Sequence, residues 1–533
     1  MPTLNWVGKD KVVNHHHDVP FRVLRHESHF DAPEGTPNNS TGNRIIHGDN
    51  LEALKSLLPE FEGKVNCIYI DPPYNTGNEG WVYNDAVNDP KMKKWLGQVV
   101  GKEGEDLSRH DKWLCMMYPR LKLLHRLLAK DGFIFVSIDV FEFSYLKPIM
   151  DEIFGAQNFR NCISVRRGIK NVQSQFDALQ ALSLGHEYVF LFSKKPEKKL
   201  PKLSKKHEET KAGKWDTFWR GTDRPTMRYE LLGVNPDAGQ WRWENGRTKK
   251  AVKAYQDFLV ISSEDLSLDD YFLDHLQATN EKLDFVRLSN EGVVQYYVPP
   301  QEGKLASDNW MDITLSGSYT NFDTEKNVCL MDRIIEWITQ DDPNATVLDS
   351  FAGSGTTAHA VLKLNAQDNG NRRFILIEMM DYAETITAER VRRVMSGYGE
   401  NAKQVAGLGG SFDYYTIGDA IFNTDESLNE SVGSEVIRNY VAYSEGIPTE
   451  NRTAQDNAYS PYLIGLNSDT AWVFYYEPAA VTCLDLDFLG SLKFGKNKPS
   501  TAIIYADKCL LTKEFMVKHG IIFKKIPRDI TRF

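Results

Sequence analysis

Residues 346–360 read TVLDSFAGSGTTAHA, a stretch that contains a strand, a turn and the start of a helix. The apolar run to Asp349 predicts a buried strand, and the periodicity changes beyond the glycines, where a helix is expected from Thr356. Gly353 and Gly355 permit positive φ and let a ligand approach the main chain, while the following helix N-terminus offers unpaired N–H groups. RFILIEM, 373–379, predicts the next strand and brings Glu378 to its end, 25 residues past Gly353, where an acid can bind the two hydroxyls of a ribose. The unit reads as nucleoside-binding α/β. It names no cofactor by itself, because Gly353-x-Gly355-x-x-Ala358 also satisfies a relaxed dinucleotide fingerprint and a plain tight turn remains open.

Outward from this unit the alternation continues. RIIHGDN, a helix-like NLEALKSLLPEF and the buried-strand run VNCIYI lead to Asp71-Pro72-Pro73-Tyr74. Residues 75–110, rich in Gly, Asn and charge, read as a long functional loop. A helix over 111–130 follows, with Gly132 marking its stop before the strand FIFVSI, and α/β units reach EYVFLFS at 187–193. The two prolines fix φ and donate no main-chain hydrogen bond, so the chain leaves strand VNCIYI in a rigid, narrow shape with carbonyls free to accept. That shape suits an amino group: one hydrogen to the Asp71 carboxylate, the other to the Pro72 carbonyl, with Tyr74 stacked on the attached ring.

Composition bounds the rest. The chain has 533 residues and 41% hydrophobic content, enough for roughly three to four domains of about 150 residues. No apolar run of transmembrane length and no signal core appear, and six dispersed cysteines without a CxxC pattern predict neither disulfides nor a cysteine metal site, so a reducing cytoplasm is expected. His15, His16 and His17 read as a short surface run, and no metal site is expected. Net charge is −10, but residues 410–490 hold 13 acids and 2 bases, so that segment carries −11 and the remaining chain +1. Lys194–Lys214 holds nine lysines against three glutamates. Arg160, Arg166, Arg167 and Lys170 form a second basic group. Between 195 and 320 the α/β alternation gives way to lysines, tryptophans and short irregular segments, which predicts an inserted domain. The expected organisation is an N-terminal arm (1–43), a first catalytic part (44–194), the insert (195–320), a second catalytic part (321–398) and a separate C-terminal α+β domain (399–533).

DPPY at one strand end and FAGSGTT at another, in one α/β chain, resembles the amino-group DNA methyltransferases, which make N6-methyladenine or N4-methylcytosine. The DPPY element comes first and FAGSGTT last, about 280 residues later, which is the β-class order. The ends of the chain look like modification subunits of type III restriction systems. The resemblance implies a Rossmann-like fold with a mostly parallel seven-stranded sheet, a target-recognition insert and S-adenosyl-L-methionine as cofactor. It places Asp71, Pro72, Pro73 and Tyr74 at the target amine. Asp349, Phe351, Ala352, Gly353, Ser354, Gly355 and Thr356 fall on the cofactor turn, and Glu378 on the ribose. Asp49 falls near the target adenine and the cofactor pocket. Phe322 and Lys326 match the segment closing over the methionine part, although Glu325 and Asn327 stand where the family usually has prolines.

The resemblance further implies double-stranded DNA as substrate, adenine N6 as acceptor by base flipping and direct in-line transfer, and residues Arg166, Arg167, Lys170, Arg220, Arg224, Arg228 and Arg242 on the DNA. Cytosine N4 is the nearest alternative, because both amino groups suit the clamp. An RNA or protein-amide substrate uses the same machinery, whereas a dehydrogenase leaves DPPY unexplained and a binding module has no need of the intact site. The acidic C-terminal segment is expected to hold a subunit interface, for a homodimer or an ATP-dependent restriction subunit. The chain itself shows no Walker A lysine motif.

Overall fold

The computed structural model describes residues 3–74, 109–167, 184–222, 224–262, 266–314, 319–320, 322, 325–399, 404–453, 459–478, 480–496, 499–527 and 530. The expected loop over 75–110, all but its last two residues, and Lys170 lie outside the described residues. Two compact units divide the chain, one of Met1–Pro201 with Asp308–Phe533, the other of Lys202–Ser307.

The first unit is built on a ten-stranded sheet. In chain order its strands are β1 (Arg22–Asp31), β2 (Asn43–His47), β3 (Val65–Ile70), β4 (Leu128–Ile138), β5 (Phe159–Arg166), β6 (His186–Ser193), β7 (Asn309–Trp310), β8 (Thr346–Asp349), β9 (Arg373–Glu378) and β10 (Ser411–Ala420). Spatially they run β1-β10-β2-β9-β8-β3-β4-β6-β5-β7. The seven from β2 to β5 match the expected sheet: β2, β9, β8, β3 and β4 are mutually parallel, and β6 lies antiparallel between β4 and β5. The two edges extend it beyond seven, with β10 parallel to β2, β1 antiparallel to β10, and β7 parallel to β5.

Strand β3 is apolar at every position but Asn66 because helices cover both faces of a parallel sheet; of its residues only Asn66 is not fully buried. Helices α1 (Asn50–Phe61) and α2 (Arg109–Leu127) supply part of that cover. Ile68, Ile70, Ile134, Val136 and Leu348 share one core with Leu54, Leu57, Trp113 and Leu121. Helix α2 stops at Leu127 and β4 starts directly at Leu128, so Gly132 is inside the strand rather than a helix stop. A Cβ there would meet the Val65 and Asn66 carbonyls at 2.9 and 3.0 Å, and glycine lets β4 close against β3 at a register irregularity.

Further helices beside this sheet include α3 (Val328–Thr339), α4 (Thr356–Asp368) and α5 (Glu389–Ser396). Thr356 through Leu362 are all buried, which explains why α4 shows little polar–apolar contrast around its circumference.

Three expectations are corrected. Residues 1–43 are not a free arm, since β1 lines the sheet edge and Val12 and Val19 enter the main core. The histidine run is not a surface tract: His16 is buried and pushed down to about 3 by burial and then His17, and the buried Lys55 ammonium donates to the carbonyl of His16 at 2.8 Å. The segment from 399 is not separate, because β10 sits between β1 and β2. Beyond it, a four-stranded sheet holds Thr470–Phe474 and Thr501–Ala506 as parallel neighbours. Tyr443, on helix Ser434–Ser444, donates to Glu62 Oε2 at 2.7 Å and accepts from Arg126 Nη2 at 2.8 Å. The ring of Tyr440 lies 4.8 Å from Phe21.

The second unit, narrower than the expected 195–320, is more regular than its composition suggests. It has a three-stranded antiparallel sheet (Val286–Leu288, Val294–Val298, Lys214–Thr217) and helices Asn245–Ile261 and Leu268–Thr279. Its tryptophans are largely structural: Trp241 packs with Phe218, Val286 and Val294, and Trp243 lies against that cluster.

Candidate active site

In an open parallel sheet, ligands bind beyond the strand carboxyl ends where the winding reverses. Here the chain goes from β3 to β4 on one side and from β8 to β9 on the other, so the reversal falls between β3 and β8, which pair at Val347↔Cys67 and Leu348↔Ile68. DPPY leaves β3 at that point and FAGSGTT leaves β8. β9 and β2, next in order, deliver Glu378 and the HGDN turn, with Glu378 paired to His47.

The glycine turn is braced from within. Asp349 is buried and accepts from Phe351 N at 3.0 Å and Thr357 Oγ1 at 2.6 Å, so it shapes the turn rather than presenting an open carboxylate, which corrects its assignment to the cofactor. Burial pushes it up to about 7, against those two hydrogen bonds. Gly353 and Gly355 take φ of 51° and 80°, in the left-handed region where a side chain is strained. Gly353 N–H donates to Glu378 Oε2 at 2.8 Å and Met380 N–H to Oε1 at 2.9 Å. The Met379 main chain and the Tyr382 hydroxyl also hydrogen-bond this carboxylate. Phe322 stands over Gly353, its Cζ 3.6 Å from where a Cβ would lie, with its ring edge-on to Tyr382 at 5.3 Å. Ser354 and Thr356 are buried, and Arg390 Nη1 donates to their hydroxyls at 2.8 and 2.9 Å. Ala352 is also buried and its N–H donates to Ile377 O at 3.1 Å, while Phe351 packs on the main core.

Asp49 caps α1, accepting from Leu51 N at 2.8 Å. Its neighbour Asn50 donates to Ser350 O at 3.1 Å and accepts from Arg120 Nε at 2.5 Å. The HGDN turn is thereby fastened to the glycine turn. The Ser350 hydroxyl is buried without a hydrogen-bond partner among the described residues, an open polar position beside a glycine cradle, a helix N-terminus and a ribose-type acid. This set fits a nucleoside cofactor.

The DPPY element is held by Trp113, whose Nε1 donates to the Pro73 carbonyl at 2.7 Å. Lys326 departs from its expected place at the cofactor. Its ammonium lies 3.0 Å from Asp71 Oδ1 and donates to Tyr74 OH at 2.7 Å and to Glu187 Oε1 and Oε2 at 3.0 and 3.1 Å. Tyr74 OH in turn donates to Glu187 Oε2 at 3.0 Å. The main chain of Lys326 meets the glycine turn, its carbonyl accepting from Thr356 Oγ1 at 3.3 Å. Burial, and then Glu187, raise Asp71, against the pull of Lys326 and Tyr74. Burial alone would lower Lys326, but Asp71 and Glu187 hold it above the ordinary lysine value. Glu187, buried on β6, had no reading from sequence beyond its strand; an acid at the head of an apolar strand was the available signal.

The missing prolines around Lys326 have polar substitutes. Glu325 accepts from Tyr319 N and Thr320 N at 3.0 and 3.1 Å and pairs with Arg390 at 2.9 Å. Asn327 caps α3 through Cys329 N at 2.9 Å.

The expected DNA arginines divide. Arg166 and Arg167, at the end of β5, are exposed, as are Arg220 and Arg224 in the second unit. Arg228 Nε donates to Gly239 O at 2.9 Å, and Arg242 Nε to Thr217 O at 3.0 Å while lying over the Tyr296 ring at 4.7 Å. The last two serve the fold of that unit.

The family model described as DNA methylase matches residues 65–389. The StyLTI Mod subunit of a type III restriction-modification enzyme from Salmonella typhimurium is 32% identical over 370 residues, 64% of this chain and 52% of the relative. The EcoPI Mod subunit of Escherichia phage P1 is 30% identical over 70% of this chain and 63% of its own length. The type II methyltransferase M.KpnI of Klebsiella pneumoniae is 31% identical over 64% of this chain and 82% of its own. The chain thus spans between about half and under two thirds of the type III relatives it matches.

Proposed function

The chain belongs to the DNA methylase family, and from that premise we propose that it transfers a methyl group from S-adenosyl-L-methionine to adenine N6 in double-stranded DNA. The observation that carries this reading is the meeting of DPPY and the glycine turn at adjacent ends of β3 and β8, with Asp71 inside a buried polar cluster. When bound, the cofactor supplies an electrophilic sulfonium methyl group. The protein's task is the nucleophile, because the amino lone pair is delocalised into the ring. Hydrogen bonds to Asp71 and the Pro72 carbonyl favour a tetrahedral nitrogen in line with that methyl group. Asp71 need not act as a base, since the proton can leave after transfer. The target nucleotide must leave the stack, at a cost of a few kcal/mol, and Tyr74 then stacks on it. Gly353, Gly355 and Thr356 would hold the cofactor's main-chain-facing side, Glu378 its ribose, and Phe322 the face over Gly353.

We assign DNA contact to the second unit, supported by its lysines and its exposed Arg220 and Arg224, and to Arg166, Arg167 and Lys170 beside it in sequence. We further propose a modification subunit of a cytoplasmic restriction system, acting as a homodimer and with a separate ATP-dependent restriction subunit. Supporting it are the type III relatives' names, six free cysteines, and the absence, among the described residues, of any helix long and apolar enough to cross a membrane.

The test is methyl transfer from labelled cofactor to mixed-sequence duplex DNA, followed by nucleoside digestion and mass spectrometry. N6-methyladenine from the wild type and none from Asp71→Ala is the expected result. N4-methylcytosine would replace the base assignment and keep the mechanism. Cofactor binding without any DNA product would overturn the substrate.

A further inference from the structure

Resting on the amino-methylation reading above, we propose that Glu187 is a positioning residue that draws the Lys326 ammonium off Asp71 when the target amine arrives. Lys326 occupies the seat that the amine requires. An ammonium and an exocyclic amino group are both nitrogen donors that seek the same carboxylate, and Asp71 Oδ1 already has the lysine nitrogen at 3.0 Å. Tyr74, whose ring must receive the base, also has its hydroxyl accepting from Lys326 at 2.7 Å. The base therefore enters only if Lys326 moves aside.

Glu187 makes that move inexpensive. Both of its oxygens accept from the lysine, at 3.0 and 3.1 Å, so Lys326 can release Asp71 and Tyr74 and keep a two-oxygen partner. Four methylenes give the ammonium the freedom for a short displacement of this kind. Without Glu187, Lys326 would have to leave its one buried carboxylate with no replacement, and stripping one partner from a buried ion pair is strongly unfavourable.

Charge points the same way. Asp71, Glu187 and Lys326 together leave one net negative charge. During transfer the amino lone pair forms the new N–C bond, the C–S bond breaks with its electrons remaining on sulfur, and the nitrogen becomes cationic until one proton leaves to solvent. With Lys326 drawn to Glu187, the negative charge of Asp71 faces that nitrogen. With Glu187 neutral, Lys326 and Asp71 would cancel each other and the developing charge would meet no counter-charge.

Glu187→Gln keeps size and shape while removing the charge and turning one of the two acceptor oxygens into an NH2 donor. Its expected effect is a loss of about ten-fold or more in kcat with the KM for DNA and the affinity for cofactor within about two-fold of wild type. Lys326→Met removes the competitor, so adding Glu187→Gln to Lys326→Met is expected to cost less than about two-fold. The inference is overturned if Glu187→Gln turns over at the wild-type rate, or if its loss is as large in the Lys326→Met background, which is the signature of a merely structural role. Loss of cofactor binding in the single variant would equally assign Glu187 to the fold. Wild-type protein that methylates no DNA overturns the functional reading itself, a result separate from a wild type that methylates while Glu187→Gln is unimpaired.

Discussion

Arg390 Nη1 and Glu325 Oε1 lie 2.9 Å apart, their side chains 2% and 7% exposed. This buried pair joins α5 to the segment that carries Lys326, and the same guanidinium reaches Ser354 and Thr356 in the glycine turn.

Removing one member of such a pair leaves the other charge buried, at a cost of about 3 kcal/mol. Arg390→Met is therefore expected to lower stability by that order in urea unfolding and to weaken cofactor binding. The double variant with Glu325→Gln should regain part of the stability, because no charge is then stranded, but not the cofactor affinity, because the turn has still lost its brace.

Asp349 gives a pH dependence of definite sign. Burial raises it from 3.8 to about 7, so between those values the folded protein holds a proton that the unfolded chain has released. By linkage, stability falls as pH rises through that window. Asp349→Asn retains an acceptor for Phe351 N–H and lacks this contribution, so wild type minus variant should drop between pH 4 and 7 by up to about 4 kcal/mol. Unfolding free energies at pH 5 and pH 8 check it, and a difference independent of pH would refute it.

Among the arginines of the second unit, exposure separates binding from folding. Arg220→Ala and Arg224→Ala should each weaken DNA binding and reduce the slope of log affinity against log salt by about one. Arg242→Ala should act on the unit's thermal stability, since its guanidinium holds the Thr217 carbonyl and covers Tyr296.

Truncation tests the place of the chain's last quarter. Removing residues 400–533 takes β10 from between β1 and β2 and uncovers Tyr443's partners Glu62 and Arg126. The shortened chain should lose cooperative unfolding and aggregate. A truncation beginning after Ala420 keeps β10 and should melt more sharply than one beginning at residue 400; equal melts would show that β10 contributes little.

The strand ends, the glycine turn and the order of the two motifs were legible in the sequence because each is local. A buried parallel strand is largely apolar, a left-handed turn favours glycine, and an acid stands at the end of the next strand. The outer strands were less legible. Arg22–Asp31 is largely exposed and reads as polar chain, and only the antiparallel partner Ser411–Ala420, nearly four hundred residues away, makes it a strand. Lys326 was visible, but its direction was not, since a long flexible side chain is placed by whichever buried charges stand near it.

The sequence by itself determined two local elements on an α/β sheet, a proline-rigid exit from one strand and a glycine turn at the end of another, each written in a short run of residues whose backbone preferences admit few alternatives. The tertiary structure alone decided which charges share the clamp. Asp71, Glu187 and Lys326 come from three separate segments, and their pairing follows from sheet order and burial, because only in a site stripped of water does an ammonium seek every carboxylate within reach.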